Sequence, residues 1–250
     1  MKRRPAGMDW GDLTGQVMWV TGAGKGIGAG IARLAAAHGA EVWLTSRTAA
    51  DVEALAAELR KSGGDAHAAP ADVTNPEQIQ AVCNRISERC GRLDVLVCSA
   101  GIGIYGPLSA AAPADLDRQL AVNVGGTLTC CQAALTLMRP AKRGAIIGIA
   151  SIMSVTGYRQ QGTYAASKHA MLGLLKVLGK EEQAHGIRVS AICPGGVDTE
   201  LVRASRPDLD STTLMTVDDV AQAVLYLLSL SERCAVDVLQ LRRRGAEPFA

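Results

Sequence analysis

Short apolar runs and helical periodicities alternate along the 250 residues of this chain. Val17–Val20 is an apolar run ended by Thr21-Gly22, which predicts a strand and then a turn. Apolar positions next fall at helical spacing through Ile27, Ile31, Leu34 and Ala35, until His38-Gly39 stops them. Val42-Trp43-Leu44 predicts a second strand. Thr48-x-x-Asp51 resembles a capping box before a helix that carries Val52, Leu55 and Leu59 on one face and ends at Gly63-Gly64. A poorly patterned strand is expected over Ala66–Asp72. Asn75-Pro76-Glu77-Gln78 then supplies an N-cap, a first-position Pro and a Gln for a helix through Ile79, Val82 and Ile86.

Val95–Cys98 predicts a fourth strand, and a long helix is expected over Leu116–Met138. Ala145–Ala150 reads as a strand, and Thr163–Ala184 as a helix closed by His185-Gly186. Arg188–Cys193 is another strand, ended by Pro194-Gly195. Thr216 caps a helix bearing Val220, Val224, Leu225 and Leu228, and Val236–Leu241 is a last, more alternating strand. The inner strands are continuously apolar, as strands covered by helices on both faces must be. The expected fold class is therefore α/β: a single-domain, Rossmann-type, doubly wound parallel sheet of about seven strands with helices on both faces. Residues 1–12 read as an N-terminal arm, 13–242 as the domain and 243–250 as a tail. A short substrate lid is expected at about 200–215.

Composition narrows the function. Aromatic residues are only 3% of the chain, so the core is aliphatic and an aromatic platform for single-stranded nucleic acid is excluded. Net charge is 26 − 24 = +2, too small a field for a polyanionic partner, so no nucleic acid is expected. No uninterrupted apolar run approaches the roughly 20 residues of a membrane span, and acidic and polar residues follow the basic N-terminus where a secretory signal would be apolar. The seven cysteines include no C-x-x-C and read as free thiols in a reducing cytoplasm. The four histidines have no ligand spacing, and no metal site is expected.

The 27 glycines direct attention to Thr21-Gly22-Ala23-Gly24-Lys25-Gly26-Ile27-Gly28, at the turn from the first strand into the first helix. Glycines there permit a tight turn and close approach of backbone to a pyrophosphate, and the helix N-terminus offers free N–H groups. The second strand ends Leu44-Thr45-Ser46-Arg47-Thr48, without the carboxylate that accepts from the ribose hydroxyls of NAD. Arg47, Lys25 and a hydroxyl from Ser46 or Thr48 suit a 2′-phosphate, so NADP(H) is expected over NAD(H). The bland alternative is that both cations are solvated surface charges. Further on, Tyr164 and Lys168 stand one helical turn apart. A nearby ammonium favours phenolate, so Tyr164 is a candidate general acid or base with its pKa drawn towards neutrality.

These segments together resemble the short-chain dehydrogenase/reductase family from about Leu13 to Leu241. The glycine loop matches that family's T-G-x-x-x-G-x-G, Asp72-Val73 its adenine-contacting pair, and Asn123 the helix Asn of its tetrad. Ser151 lies 13 residues before Tyr164-x-x-x-Lys168, and Pro194-Gly195-Gly196-Val197-Asp198-Thr199 matches P-G-x-x-x-T beside the nicotinamide. The resemblance implies that Tyr164 exchanges a proton with the substrate oxygen and that Ser151 holds that oxygen. Lys168 would lower the Tyr pKa and bind the nicotinamide ribose, and Asn123 would bend its helix and seat a relay water. It implies a cofactor site of Gly22, Gly24, Lys25, Gly26, Ile27, Gly28, Ser46, Arg47, Thr48, Asp72, Val73, Ser99, Ala100 and Gly101. Asn123, Tyr164, Lys168, Pro194, Gly195, Val197 and Thr199 complete that site. Substrate contacts fall to Ser151, Met153, Tyr164 and Gly195. Ser154, 10 residues before Tyr164, is the weaker candidate for the catalytic hydroxyl.

Two departures from the family pattern stand out. Cys98-Ser99-Ala100-Gly101 replaces N-N-A-G, with Ser99 a shorter substitute for a structural Asn, and Arg242-Arg243-Arg244 follows the last strand where relatives are Gly-rich. The triple Arg reads as a solvated tail, with an anion-binding patch as the alternative. The expected function is hydride transfer between NADP(H) and a small ketone, aldehyde or secondary alcohol. A 3-oxoacyl-carrier reductase and a non-catalytic NADP-binding regulator are the alternatives. The rim should come from Ile102–Tyr105, Met153–Gln161 and the segment after Thr199. A homodimer or homotetramer is implied by the resemblance.

Overall fold

The computed structural model describes residues 11–205 and 210–247. The first ten residues of the expected arm, residues 206–209 of the expected lid and the last three of the tail lie outside the described residues. Seven strands form one fully parallel sheet: β1 (Val17–Thr21), β2 (Glu41–Thr45), β3 (Asp65–Ala68), β4 (Val95–Cys98), β5 (Gly144–Ile149), β6 (Ile187–Pro194) and β7 (Val238–Leu241). The helices are α1 (Gly26–Ala37), α2 (Ala49–Lys61), α3 (Pro76–Cys90), α4 (Pro113–Leu120), α5 (Thr127–Ala141), α6 (Gly162–Glu182), α7 (Glu200–Ser205) and α8 (Val217–Ser229). The order across the sheet is β3-β2-β1-β4-β5-β6-β7. The chain reverses direction across the sheet between β1 and β4, so a crevice opens beyond their carboxyl ends, where such folds bind ligands.

The two-residue period of the strands sorts the core into two layers. Met18, Val20, Val42, Leu44 and Val97 pack with Ile31 of α1, Val52 and Leu55 of α2 and Val220 and Val224 of α8. Val17, Trp19, Trp43 and Leu96 face the other way, onto Ile79 of α3, Leu135 of α5 and Leu172 and Leu175 of α6. This is why the inner strands are apolar at every position. The edge strand β7 is only half-buried, which explains its more alternating pattern.

Several sequence expectations change. The Asn75 cap forms, its side chain accepting from Gln78 N at 3.1 Å, and Thr216 forms a reciprocal capping box with Asp219. Thr48 sits at the N-cap of α2 but its side chain makes no capping bond. Asp51 instead lies beside Gly24 and Ser46, and its carboxylate joins the lining of the crevice.

The long helix is not regular either. Between α4 and α5 the segment Ala121–Gly126 winds as a π-helix, giving one helix over Pro113–Ala141. Thr127 Oγ1 donates to Asn123 O at 2.8 Å and Thr129 Oγ1 to Gly125 O at 3.0 Å, taking up carbonyls in the widened turns. Val73 packs so tightly against Gly126 that a Cβ there would lie 2.5 Å from Val73 Cγ2. By length and composition this helix could cross a membrane, but Cys130, Cys131, Leu135 and Met138 are buried against the sheet.

At the opposite ends of β2 and β3, Glu41, Asp65 and His67 meet, a grouping with no spacing signal in the sequence. His67 Nε2 lies 3.1 Å from Glu41 Oε1 and 2.9 Å from Asp65 Oδ1, and Arg89 Nε donates to Glu41 at 3.1 Å. All seven cysteines are free thiols, five of them buried.

Candidate active site

The crevice contains a cavity of about 730 Å³ built on the glycine loop. Its glycines are required by contact. A Cβ on Gly28 would lie 2.3 Å from Gly22 O, and one on Gly22 would lie 2.7 Å from the Ala100 backbone. Gly22 and Gly26 also have φ of +66° and +54°, the left-handed region that glycine adopts without strain. The loop therefore lies flat against β4 and leaves open room above the N-terminus of α1. That fits a pyrophosphate taken by backbone N–H groups.

Beyond the loop the cavity is lined by Ser46, Arg47, Thr48, Asp51, Asp72 and Val73. Lys25 Nζ is 3.6 Å from Glu200, and Arg203 makes two bonds to Asp198 at 2.8 and 3.0 Å. Lys25 and Arg203 thus each have a carboxylate partner, while Arg47 lies near Asp72. Burial works against the Asp72 carboxylate, yet its bonds from Thr74 N and Oγ1, at 2.9 and 2.7 Å, keep its pKa below the ordinary value.

Thr21 Oγ1 anchors the turn after β4, accepting from Ser99 N at 3.2 Å and Ala100 N at 3.3 Å. A β1 hydroxyl thus holds the backbone of the segment that carries Ser99. Asn123 secures the next residues: its Oδ1 accepts from Ile102 N at 2.8 Å, and its Nδ2 donates to Ile102 O and Ser167 Oγ, each at 2.9 Å. Asn123 is fully buried and lines neither cavity.

Ser151 stands two residues beyond β5 and caps a short 3₁₀ turn, Ile152–Ser154. Its Oγ accepts from Met153 N at 3.1 Å, and the hydroxyl lies close enough to the Tyr164 phenol to pull its pKa down slightly. Ser154, the rival hydroxyl, accepts from Ser151 N at 3.3 Å and is buried as the other half of the capping box. Lys168 stands one turn after Tyr164 on α6, 5% exposed, with Nζ donating to Ile149 O at 3.0 Å and 5.8 Å from the Tyr164 ring centre.

The expected acidified phenol is not what this geometry gives. Burial pushes Tyr164 well above the ordinary tyrosine range, the Tyr105 phenol adds to the rise, and only the Ser151 hydroxyl opposes it. Burial draws the Lys168 ammonium down to about 8. Desolvation dominates at both groups, so Tyr164 carries its proton at neutral pH.

A second cavity of about 260 Å³ adjoins the first. Ile27, Ala150, Tyr164, Thr199 and Leu201 line both, so the Tyr164 phenol stands at their junction. Ser151, Met153, Pro194, Gly195 and Val197 line the second cavity. Tyr105, Tyr158 and Gln161 come from the expected rim, and Tyr105 packs edge-on to Tyr164 with ring centres 5.4 Å apart. Of the anticipated lid, Leu201 and Val202 reach this cavity on α7.

The sequence reading missed two features. Asp51 fits a capping pattern in the sequence, although its place in the first turn of α2 beside the β2 end also sets it at the crevice. Arg242 and Arg243, read as a solvated tail, line the second cavity, because β7 delivers them to the carboxyl edge of the sheet next to Pro194-Gly195.

The family described as short chain dehydrogenase matches residues 16–210. D-threitol dehydrogenase of Mycolicibacterium smegmatis is 39% identical over 226 residues, covering 87% of each chain. The uncharacterized oxidoreductase YxjF of Bacillus subtilis is 36% identical over 218 residues, 87% of this chain and 85% of its own. Among solved structures, an alcohol dehydrogenase of Thermococcus sibiricus complexed with 5-hydroxy-NADP superimposes with a TM-score of 0.86 at 27% identity, covering 94% of this chain and 99% of that one.

Proposed function

The chain belongs to the short-chain dehydrogenase family of oxidoreductases, and from that premise we propose that it moves a hydride between NADP(H) and a small ketone, aldehyde or secondary alcohol, with Tyr164 as the general acid or base. The observation that carries this reading is the position of Tyr164: it lines the nucleotide-sized cavity and the smaller one together, with Ser151 lining the smaller one beside it. The family binds a nicotinamide cofactor, and the glycine loop, whose close backbone packing at Gly22 and Gly28 leaves no room for a Cβ, fits its pyrophosphate. Gly22, Gly24, Gly26, Ile27 and Gly28 would hold the phosphates, Asp72 and Val73 the adenine, and Ser99, Ala100, Gly101, Pro194, Gly195, Val197 and Thr199 the nicotinamide end. The nicotinamide, when bound, supplies or accepts the hydride.

The chain's own groups govern the proton. In reduction, Tyr164 donates its O–H to the carbonyl oxygen while Ser151 holds that oxygen by a hydrogen bond. Charge that develops on Tyr164 is stabilised by the Lys168 ammonium, a differential interaction that grows along the reaction. Lys168 also sits beside Gly101, within reach of a ribose. Asn123 acts as a positioning residue, because its amide fixes Ile102 and Ser167 beside the site.

Arg47 supports NADP(H), since a guanidinium fork pairs with a phosphate. Asp51 supports a second reading, NAD(H), because a carboxylate in that cavity accepts from ribose hydroxyls and repels a 2′-phosphate. We favour the first, in which Ser46, Arg47 and Thr48 at the β2 end meet the phosphate directly. The free thiols support a reducing, cytoplasmic setting. Exposed Leu128 on α5 and Val177 on α6 support a homodimer or homotetramer packed through those helices. Tyr164→Phe tests the assignment: turnover of any carbonyl substrate falls by several orders of magnitude while NADPH still binds. Undiminished turnover would remove Tyr164 from the chemistry.

A further inference from the structure

The smaller cavity has a chemical asymmetry. Its middle is apolar, with Ile152, Met153, Val197 and Leu241 among its walls, and no acidic side chain lines it among the described residues. Its charged end is the pair Arg242 and Arg243. Arg242 folds back on the chain, its Nη1 donating to the carbonyls of Arg243, Arg244 and Ala246. That clip turns the residues after β7 over the cavity mouth. Arg243 is half-buried and lies across Gly196, where a Cβ would come within 3.3 Å of its Cδ, and its Nη1 reaches Thr213 Oγ1 at 3.5 Å. Neither arginine pairs with a carboxylate among the described residues, unlike Arg33, Arg89, Arg139 and Arg203, which all do.

A half-buried guanidinium at the wall of an apolar cavity lacks part of its hydration, and its fork of N–H donors matches a carboxylate in two-point geometry. The cavity volume of about 260 Å³ is below the usual range for drug-sized ligands, roughly 300–1,000 Å³. We propose that this cavity takes a short oxo acid or its hydroxy-acid product, with the reacting oxygen at Tyr164 and Ser151 and a terminal carboxylate on Arg243, Arg242 holding the segment in place. This deepens the reductase reading and rests on it. Substrate charge is then the specificity determinant, and the residue that reads it comes from beyond the last strand.

The test compares linear oxo acids with their methyl esters, using 3-oxobutanoate, 4-oxopentanoate and 5-oxohexanoate with NADPH and with NADH. At the best chain length the wild type favours the acid over its ester by at least about tenfold in kcat/KM, about 1.4 kcal/mol. Arg243→Ala lowers that acid-to-ester ratio about tenfold, chiefly by raising KM for the acid, and Arg243→Lys keeps part of it. Arg244→Ala, an exposed neighbour outside the cavity, leaves the ratio unchanged. Equal rates for acids and esters throughout the series, or a ratio indifferent to Arg243→Ala, would overturn the carboxylate site while leaving the reductase reading intact. Turnover of neither acids nor esters with either cofactor would overturn both.

Discussion

Replacing Lys168 by Met should stabilise the protein at neutral pH while it abolishes turnover. Lys168 is 5% exposed, and burial holds its ammonium at about 8 against an ordinary 10.5. At 1.36 kcal/mol per pH unit, that difference puts a penalty of about 3 kcal/mol on the charged form in the folded state. Met keeps the length of the side chain and carries no charge. It gives up the bond to Ile149 O, which costs about 1 kcal/mol. The net gain at pH 7 is about 2 kcal/mol, or roughly 4–8 °C in Tm for a chain of this size. The folded-state pKa lies below the unfolded one, so the unfolded chain binds more protons between them and wild-type stability rises with pH across that window. The penalty is complete below pH 8 and gone above about 10.5, so the advantage of Lys168→Met shrinks to near zero by about pH 9.5. Urea unfolding followed by circular dichroism at pH 7 and 9.5 measures both numbers. A variant less stable than wild type at pH 7, or one whose difference is the same at both pH values, would refute the claim that Lys168 is a desolvated ammonium held for function.

Two further outcomes follow from the cofactor cavity. Gly28→Ala drives a methyl to within 2.3 Å of Gly22 O, so it costs about 1–3 kcal/mol in urea unfolding and abolishes quenching of protein fluorescence by NADPH. Arg47→Asp raises the Kd for NADPH far more than that for NADH, whereas Asp51→Ala moves NADH more if the carboxylate holds the ribose. Equal wild-type affinities for the two cofactors would remove the 2′-phosphate assignment.

Much of this architecture was legible because the strands are buried on both faces and the helices carry strong punctuation. Val17–Val20 and Val95–Cys98 could only be interior strands, and Asn75-Pro76 placed the start of α3 to the residue. The one-turn spacing of Tyr164 and Lys168 was legible too, whereas Ser151 came into view only through the resemblance to the family pattern. What escaped depends on contacts between segments distant in sequence. The hold of Thr21 on the Ser99 and Ala100 amides requires β1 and β4 to be adjacent. The close packing of Val73 on Gly126, at the end of the π-helical turn, joins residues over fifty positions apart along the chain. The protonation state of Tyr164 is decided by burial, which helical spacing cannot report. Arg242 and Arg243 looked solvated because nothing in a run of like charges reveals that β7 aims them at Pro194-Gly195.

In the proposed mechanism Tyr164 delivers a proton to a carbonyl in the small cavity while a hydride arrives from the large one. Deuterium transfer tests it most directly: ketones and oxo acids are incubated with NADPH labelled at either prochiral C4 position, and the alcohol product is analysed by mass spectrometry. We expect one label, the same face for every substrate, to appear at the carbinol carbon, with the signal lost in Tyr164→Phe. Label that never reaches carbon from either face, or transfer that survives Tyr164→Phe at the wild-type rate, would contradict the account.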